Sequence, residues 1–129
     1  IIPCAEDAGR REIARLRAAF VEMIPPRHMA FLRNLHLSYQ VGDFLFVHAG
    51  VRPGVPLEDQ DEEDLLMIRD EFLGFPVTID KTIIHGHTIF TRPYVREGSI
   101  GIDTGAYETG ILTAIALEEN RYEFLSTQP

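Results

Sequence analysis

Three short stretches each deliver a reactive side chain at the end of an apolar run: FLFVHAG (44–50), TIIHGHT (82–88) and IGIDTGA (100–106). Each passes from aliphatic or aromatic residues to histidine or aspartate, then to glycine. Strand ends collect functional groups because the strand fixes position while the loop admits a ligand. A neutral imidazole is a common metal ligand, so His48, His85 and His87 are metal-ligand candidates, and Asp103 is a carboxylate at a third rim. One histidine at a strand end is ordinarily structural. Two such rims and an aspartate favour a shared site. His85 and His87 stand two apart and would face the same side of a regular strand. With His48 they would form a three-histidine site holding one metal and an activated water, as in a mononuclear hydrolase or lyase. Gly86 can break the strand and leave only one of the two on the metal. Spacing leaves both arrangements open.

Arg69 is the other chemically notable residue. It follows the apolar stretch Leu65–Ile68 and is the only base between Glu58 and Glu71, among eight carboxylates. One reading is an intrahelical ion pair with Asp64 or Glu62. The other is a planar fork for a phosphate, where guanidinium geometry surpasses an ammonium. Composition alone favours the ion pair. The acidic block lacks the central glycine and ligand spacing of an EF-hand loop, so it reads as a solvated helix.

These groups sit in a chain of 129 residues, 45% hydrophobic and 25% charged, with a formal net charge of -8. That length supports one domain with a core, assigned here to residues 1–129. The negative balance argues against a nucleic-acid partner, which needs cationic surface. The single cysteine, Cys4, excludes an internal disulfide, and a reducing, cytoplasmic location is expected. No apolar run approaches the roughly 20 residues of a membrane span, and no signal peptide is visible, so no membrane partner is expected.

The elements that must position the site follow from periodicity. Residues 6–24 read as an amphipathic helix with Ile13, Leu16, Phe20 and Ile24 on one stripe. Pro25-Pro26 ends it, and Pro26 opens a second helix carrying Met29, Leu32 and Leu35. The six arginines between residues 10 and 33 read as a solvated face and not a phosphate patch. Residues 37–41 alternate, Gly42-Asp43 makes a turn, and Phe44–Val47 forms a strand covered on both faces. Asp61 caps a short helix carrying Leu65, Leu66 and Ile68. Strands follow at 81–85, 99–102 and 111–117, the last turning at Glu119-Asn120 into Arg121–Leu125. Helices first and strands later predict a layered α/β domain with a mixed or antiparallel sheet.

In order, FVHAGVRPG, DLLMIRDEF, IIHGHT and GIDTGA with GILTAIAL resemble the C-terminal half of calcineurin-like metallophosphoesterases, in the bacterial serine/threonine-protein-phosphatase branch. The resemblance spans about residues 25 to 125. It implies two packed mixed β-sheets flanked by helices, with two divalent metals at the strand ends. Manganese is expected, with iron or zinc as alternatives. It implies that His48 and His87 bind one metal, and that Arg69 grips the substrate phosphoryl group. It places Asp103 and His85 behind the ligands, and Tyr107 at the substrate pocket. It implies hydrolysis of a phosphate monoester, on a protein or a small molecule, by a metal-bridging hydroxide. Dinucleoside polyphosphates are an alternative substrate, and a non-catalytic binding module is an alternative role. The family motifs GDxHG, GDxxDRG and GNHE, which would supply the other ligands and the general-acid histidine, do not occur in this sequence. The chain also lacks an initiating methionine. A C-terminal portion, inactive on its own, is therefore expected. Met67 stands where related sequences have tryptophan.

Overall fold

The computed structural model describes residues 5–119 and 121–127. Cys4 and Asn120 lie outside them. The chain divides into two compact units, residues 1–35 and 36–129.

The first unit is two helices. α1 spans Ala5–Met23 and α2 spans Pro26–Arg33. Pro25 occupies the cap of α2 and Pro26 its first turn, where a missing N–H costs nothing. Asn34 closes the helix, its Nδ2 donating to the Ala30 carbonyl at 2.7 Å. The predicted stripe of α1 is present, but Ile13, Leu16 and Phe20 are each at least 60% exposed. Periodicity predicts the face; what covers a face is a tertiary matter. No helix among the described residues is long and apolar enough to cross a membrane.

The second unit is built on a five-stranded mixed sheet in the order β1-β2-β3-β5-β4. β1 (Ser38–Val41) and β2 (Phe44–Val47) form the expected antiparallel hairpin, with Val41 opposite Phe44. Gly42 turns it at φ 52, a backbone region that favours glycine. β3 (Thr82–His85) pairs parallel with β2, and β5 (Ser99–Gly101) pairs parallel with β3. β4 (Tyr94–Arg96), which periodicity did not predict, pairs antiparallel with β5 at the edge. Its signal was the Glu97-Gly98 turn between two short β-prone runs.

Gly98 adopts φ 75, and a Cβ there would lie 2.8 Å from the Val77 side chain. Gly98→Ala should therefore destabilise the protein by about 1–3 kcal/mol. A urea unfolding midpoint equal to that of the parent protein would contradict this.

Among the described residues, β6 (Thr113–Glu118) and β7 (Arg121–Ser126) pair only with each other, antiparallel. The second sheet is thus two-stranded and antiparallel, a correction to the expected second mixed sheet. A tight connection lets neighbouring strands pair locally, whereas a mixed sheet needs a longer crossover. Thr104 fastens this strand pair to the end of β5. Its hydroxyl donates to the Ile111 carbonyl at 2.7 Å and lies 2.9 Å from the Thr113 hydroxyl.

The core lies on one face of β2 and β3. Leu45, Val47 and Ile83 pack with Ala49, Val51, Leu65, Ile68 and Phe72. The other face of β2 is only half-buried, so the strand is not fully covered on both sides as predicted. Phe44 and Phe46 there line a cavity of about 540 Å³ with Ile115 and Leu117. Burying the apolar side chains of the core face contributes roughly 25 cal/mol per Å² of area removed from water, so this face anchors the strands that carry the histidines.

Candidate metal centre

Parallel pairing of β2, β3 and β5 brings their C-terminal ends to a single edge of the sheet. That edge is where open α/β sheets bind ligands. Leu45 faces Ile83 and Ile83 faces Ser99 in register, so His48, the 85–87 segment and Asp103 leave the sheet side by side. Backbone bonds lock the alignment. The Gly86 amide donates to the His48 carbonyl at 2.9 Å, and the Ile102 amide to the His85 carbonyl at 2.9 Å.

His48 Nε2 and His87 Nδ1 meet at 3.2 Å, with ring centroids 5.0 Å apart at 60°. His87 reaches this position because its backbone sits at φ 62, outside strand geometry. β3 ends at His85, so the period-two alternation ends there too. His85 therefore does not share a face with His87. It is 2% exposed and stands edge-on to the Phe72 ring, with centroids 5.0 Å apart at 88°. A Cβ on Gly101 would lie 3.0 Å from its ring, so glycine at that point of β5 makes room for the imidazole. Burial holds the His85 pKa down; the Arg96 charge adds to this, while the Gly86 carbonyl opposes it.

The His87 pKa is also lowered, first by burial and then by the nearby Arg69 and His48 charges; the Met67 backbone and Asp103 act in the opposite sense. A neutral ring keeps a lone pair free to coordinate a cation. Among the described residues its Nε2 is buried and makes no hydrogen bond of ordinary geometry.

Arg69 occupies the break between α3 (Glu62–Met67) and α4 (Asp70–Leu73). Its Nη1 donates to the His87 carbonyl at 3.1 Å. Among the described residues, the ion pair with Asp64 or Glu62 that composition favoured does not form. Asp64 is taken by Arg52, which donates from Nε to one carboxylate oxygen and from Nη2 to the other, both at 2.5 Å. Asp64 raises the Arg52 pKa through this hydrogen bond and its charge. Local spacing along a helix did not foresee a competitor from the loop after β2. Gln60 closes that loop, accepting from the Arg52 amide at 2.7 Å and donating to the Arg52 and Val55 carbonyls. Asp61 caps α3 as predicted, accepting from the Glu63 amide at 2.8 Å.

Asp103 accepts from the Gly105 amide at 2.9 Å, which shapes the turn into α5 (Ala106–Thr109). With His48, Gly86 and His87 it lines a cavity of about 230 Å³. Tyr107, on α5, is 85% exposed. A second, larger cavity of about 660 Å³ is lined by Arg52, Arg69, Met67, Ile68 and five carboxylates: Asp61, Glu63, Asp64, Asp70 and Glu71. Sequence reasoning missed Arg52 as part of this wall; its signal was the basic residue two positions beyond Gly50.

Two imidazole nitrogens on one cation at about 2.0–2.1 Å each stand roughly 3.0–3.4 Å apart. The separation of His48 and His87 falls within that span, so the pair fits as two ligands of a metal. Among the described residues, no group of three or more His, Cys, Asp or Glu side chains is arranged to hold a metal ion. The chain matches no family model and no curated protein.

Proposed function

We propose that this chain carries part of the active site of a metal-dependent phosphoesterase of the calcineurin-like, serine/threonine phosphatase type. In this reading the chain is the C-terminal part of that fold, and the remaining ligands come from a segment bearing the GDxHG, GDxxDRG and GNHE motifs. The observation that carries it is the convergence of His48 and His87 at 3.2 Å from separate parallel strands, with Arg69 bonded to the carbonyl of His87.

A bound metal pair would supply a hydroxide at neutral pH and offset charge on the phosphoryl oxygens. The chain's own residues do the rest. His48 Nε2 and His87 Nδ1 stand together at the strand ends, and partial burial with the nearby Arg69 charge lowers the His87 pKa, which favours the ring form that can coordinate. Arg69 holds a phosphoryl oxygen through the planar fork of its guanidinium. Asp103 fixes the turn that closes the rim. The phosphorylated group would be a protein side chain or a small ester, with a dinucleoside polyphosphate as the alternative.

The test is manganese-dependent hydrolysis of p-nitrophenyl phosphate by the full-length protein, alongside a manganese titration. His48→Ala and His87→Ala should each lose the metal-dependent turnover and weaken manganese binding, while His85→Ala should keep the metal. Turnover that survives loss of both His48 and His87 would refute the assignment. Loss of metal on His85→Ala would favour the three-histidine site instead.

A further inference from the structure

We infer that Arg96 is a positioning residue for Arg69, acting through α4. This rests on the reading of Arg69 as the phosphoryl-binding group. Arg96 ends the edge strand β4 and is half-buried. Its guanidinium makes three hydrogen bonds: Nε to the Ser99 hydroxyl at 2.8 Å, Nη2 to the Phe72 carbonyl at 2.8 Å, and Nη1 to the Phe75 carbonyl at 2.6 Å. It also lies over the Phe72 ring, 4.9 Å from its centroid.

The two carbonyls belong to the end of α4 and the turn beyond it. α4 is one turn long. A single turn pays the full nucleation cost and gains little from propagation. Its C-terminal carbonyls need outside partners, and Arg96 supplies the donors. At the opposite end, the Phe72 and Leu73 amides both donate to the Arg69 carbonyl, at 3.0 and 2.9 Å. Arg69 is thus the first link of a turn whose last link is held by Arg96. From there its side chain reaches the His87 carbonyl. An arginine is needed because one planar group must address a hydroxyl and two carbonyls at once. A lysine keeps the charge but not the fork.

The histidine pair has anchors outside this chain of contacts: the Gly86 amide on the His48 carbonyl and the Ile102 amide on the His85 carbonyl, next to β2 and β3. Loosening α4 should therefore disturb Arg69 and spare the metal ligands. Small misplacements of a binding group can cost about a hundredfold in rate.

The experiment is a double-mutant cycle on the full-length protein with manganese and p-nitrophenyl phosphate, read together with amide hydrogen exchange. Arg96→Gln should lower kcat/KM by about tenfold to a hundredfold and leave bound manganese unchanged. Adding Arg96→Gln to Arg69→Ala should cost nothing further. Exchange at the Phe72, Leu73 and Gly74 amides should speed up, while Ile83 and Ile84 stay protected. Arg96→Lys should follow Arg96→Gln. Ser99→Ala, which removes one of the three bonds, should show the same pattern more weakly and serves if Arg96→Gln does not fold. Multiplicative losses in the cycle, unchanged exchange at residues 72–74, or wild-type behaviour of Arg96→Lys would each overturn the assignment. A parent protein without phosphatase activity would instead sink the functional reading, and the exchange data would still decide whether Arg96 holds α4 and Arg69.

Discussion

Truncation of Phe72 to alanine should destabilise the protein by about 3–5 kcal/mol, a large share of the 5–15 kcal/mol that holds a typical domain folded. Phe72 is 1% exposed and lies in the main core cluster. Its ring touches three features at once. Gly50 lies so close that a Cβ there would sit 2.5 Å from the ring; the His85 imidazole meets it edge-on; the Arg96 guanidinium covers it. Removing the ring leaves a cavity that rigid strands on one side cannot fill, so both the transfer and the cavity terms apply. It also strips the apolar neighbour from a buried histidine. Urea unfolding with an unchanged m-value would measure the loss. A shift below about 1 kcal/mol would mean that the site relaxes or that Phe72 packs elsewhere. Phe72→Leu, which keeps most of the apolar volume, should recover much of the stability.

Arg69→Ala should reduce kcat by about 10²–10³ if Arg69 stabilises charge on the phosphoryl group, the size found when one preorganised donor is deleted. Manganese affinity should change little, because Arg69 bonds the His87 carbonyl and not its ring. Arg69→Lys should fall between, keeping charge and losing the fork. The competing structural role for Arg69 is to tie α4 to the histidine loop. That role predicts a fall in stability and metal affinity with kcat nearly intact. Steady-state kinetics and a manganese titration on the same variant separate the two. If turnover were unaffected, the phosphoryl-binding role would be withdrawn.

The acidic wall near Arg69 bears on which substrates such a site would favour. Arg52 is already neutralised by Asp64. Of the remaining charged groups lining the 660 Å³ cavity, Arg69 is the only cation beside Asp61, Glu63, Asp70 and Glu71. Like charges raise the cost of bringing an acidic partner close.

Much of the molecule was legible in its sequence because the signals were local. Apolar alternation and a glycine turn predicted the β1–β2 hairpin, prolines marked the junction of α1 and α2, and Asp61 announced the start of α3. The chemically able residues were legible too, since apolar runs ending in histidine or aspartate and glycine describe strand ends. β4 and α5 were missed because each is four residues or fewer, too short for a period to emerge.

Sequence by itself determined which residues stand at the ends of the apolar strands and which of the longer segments are helix or strand, because those properties depend on neighbours a few positions away. Only the tertiary structure decided which strand ends share an edge. Parallel pairing of β2, β3 and β5 did that, between segments about 40 and 15 residues apart. It also decided that His87 and not His85 meets His48. A positive φ after Gly86 cancels strand alternation, and a ring-sized space beside Phe72 and Gly101 takes the other imidazole. Arg69 shows the same: Asp64 is held by Arg52 from the loop after β2, and the Arg69 guanidinium donates to the His87 carbonyl instead.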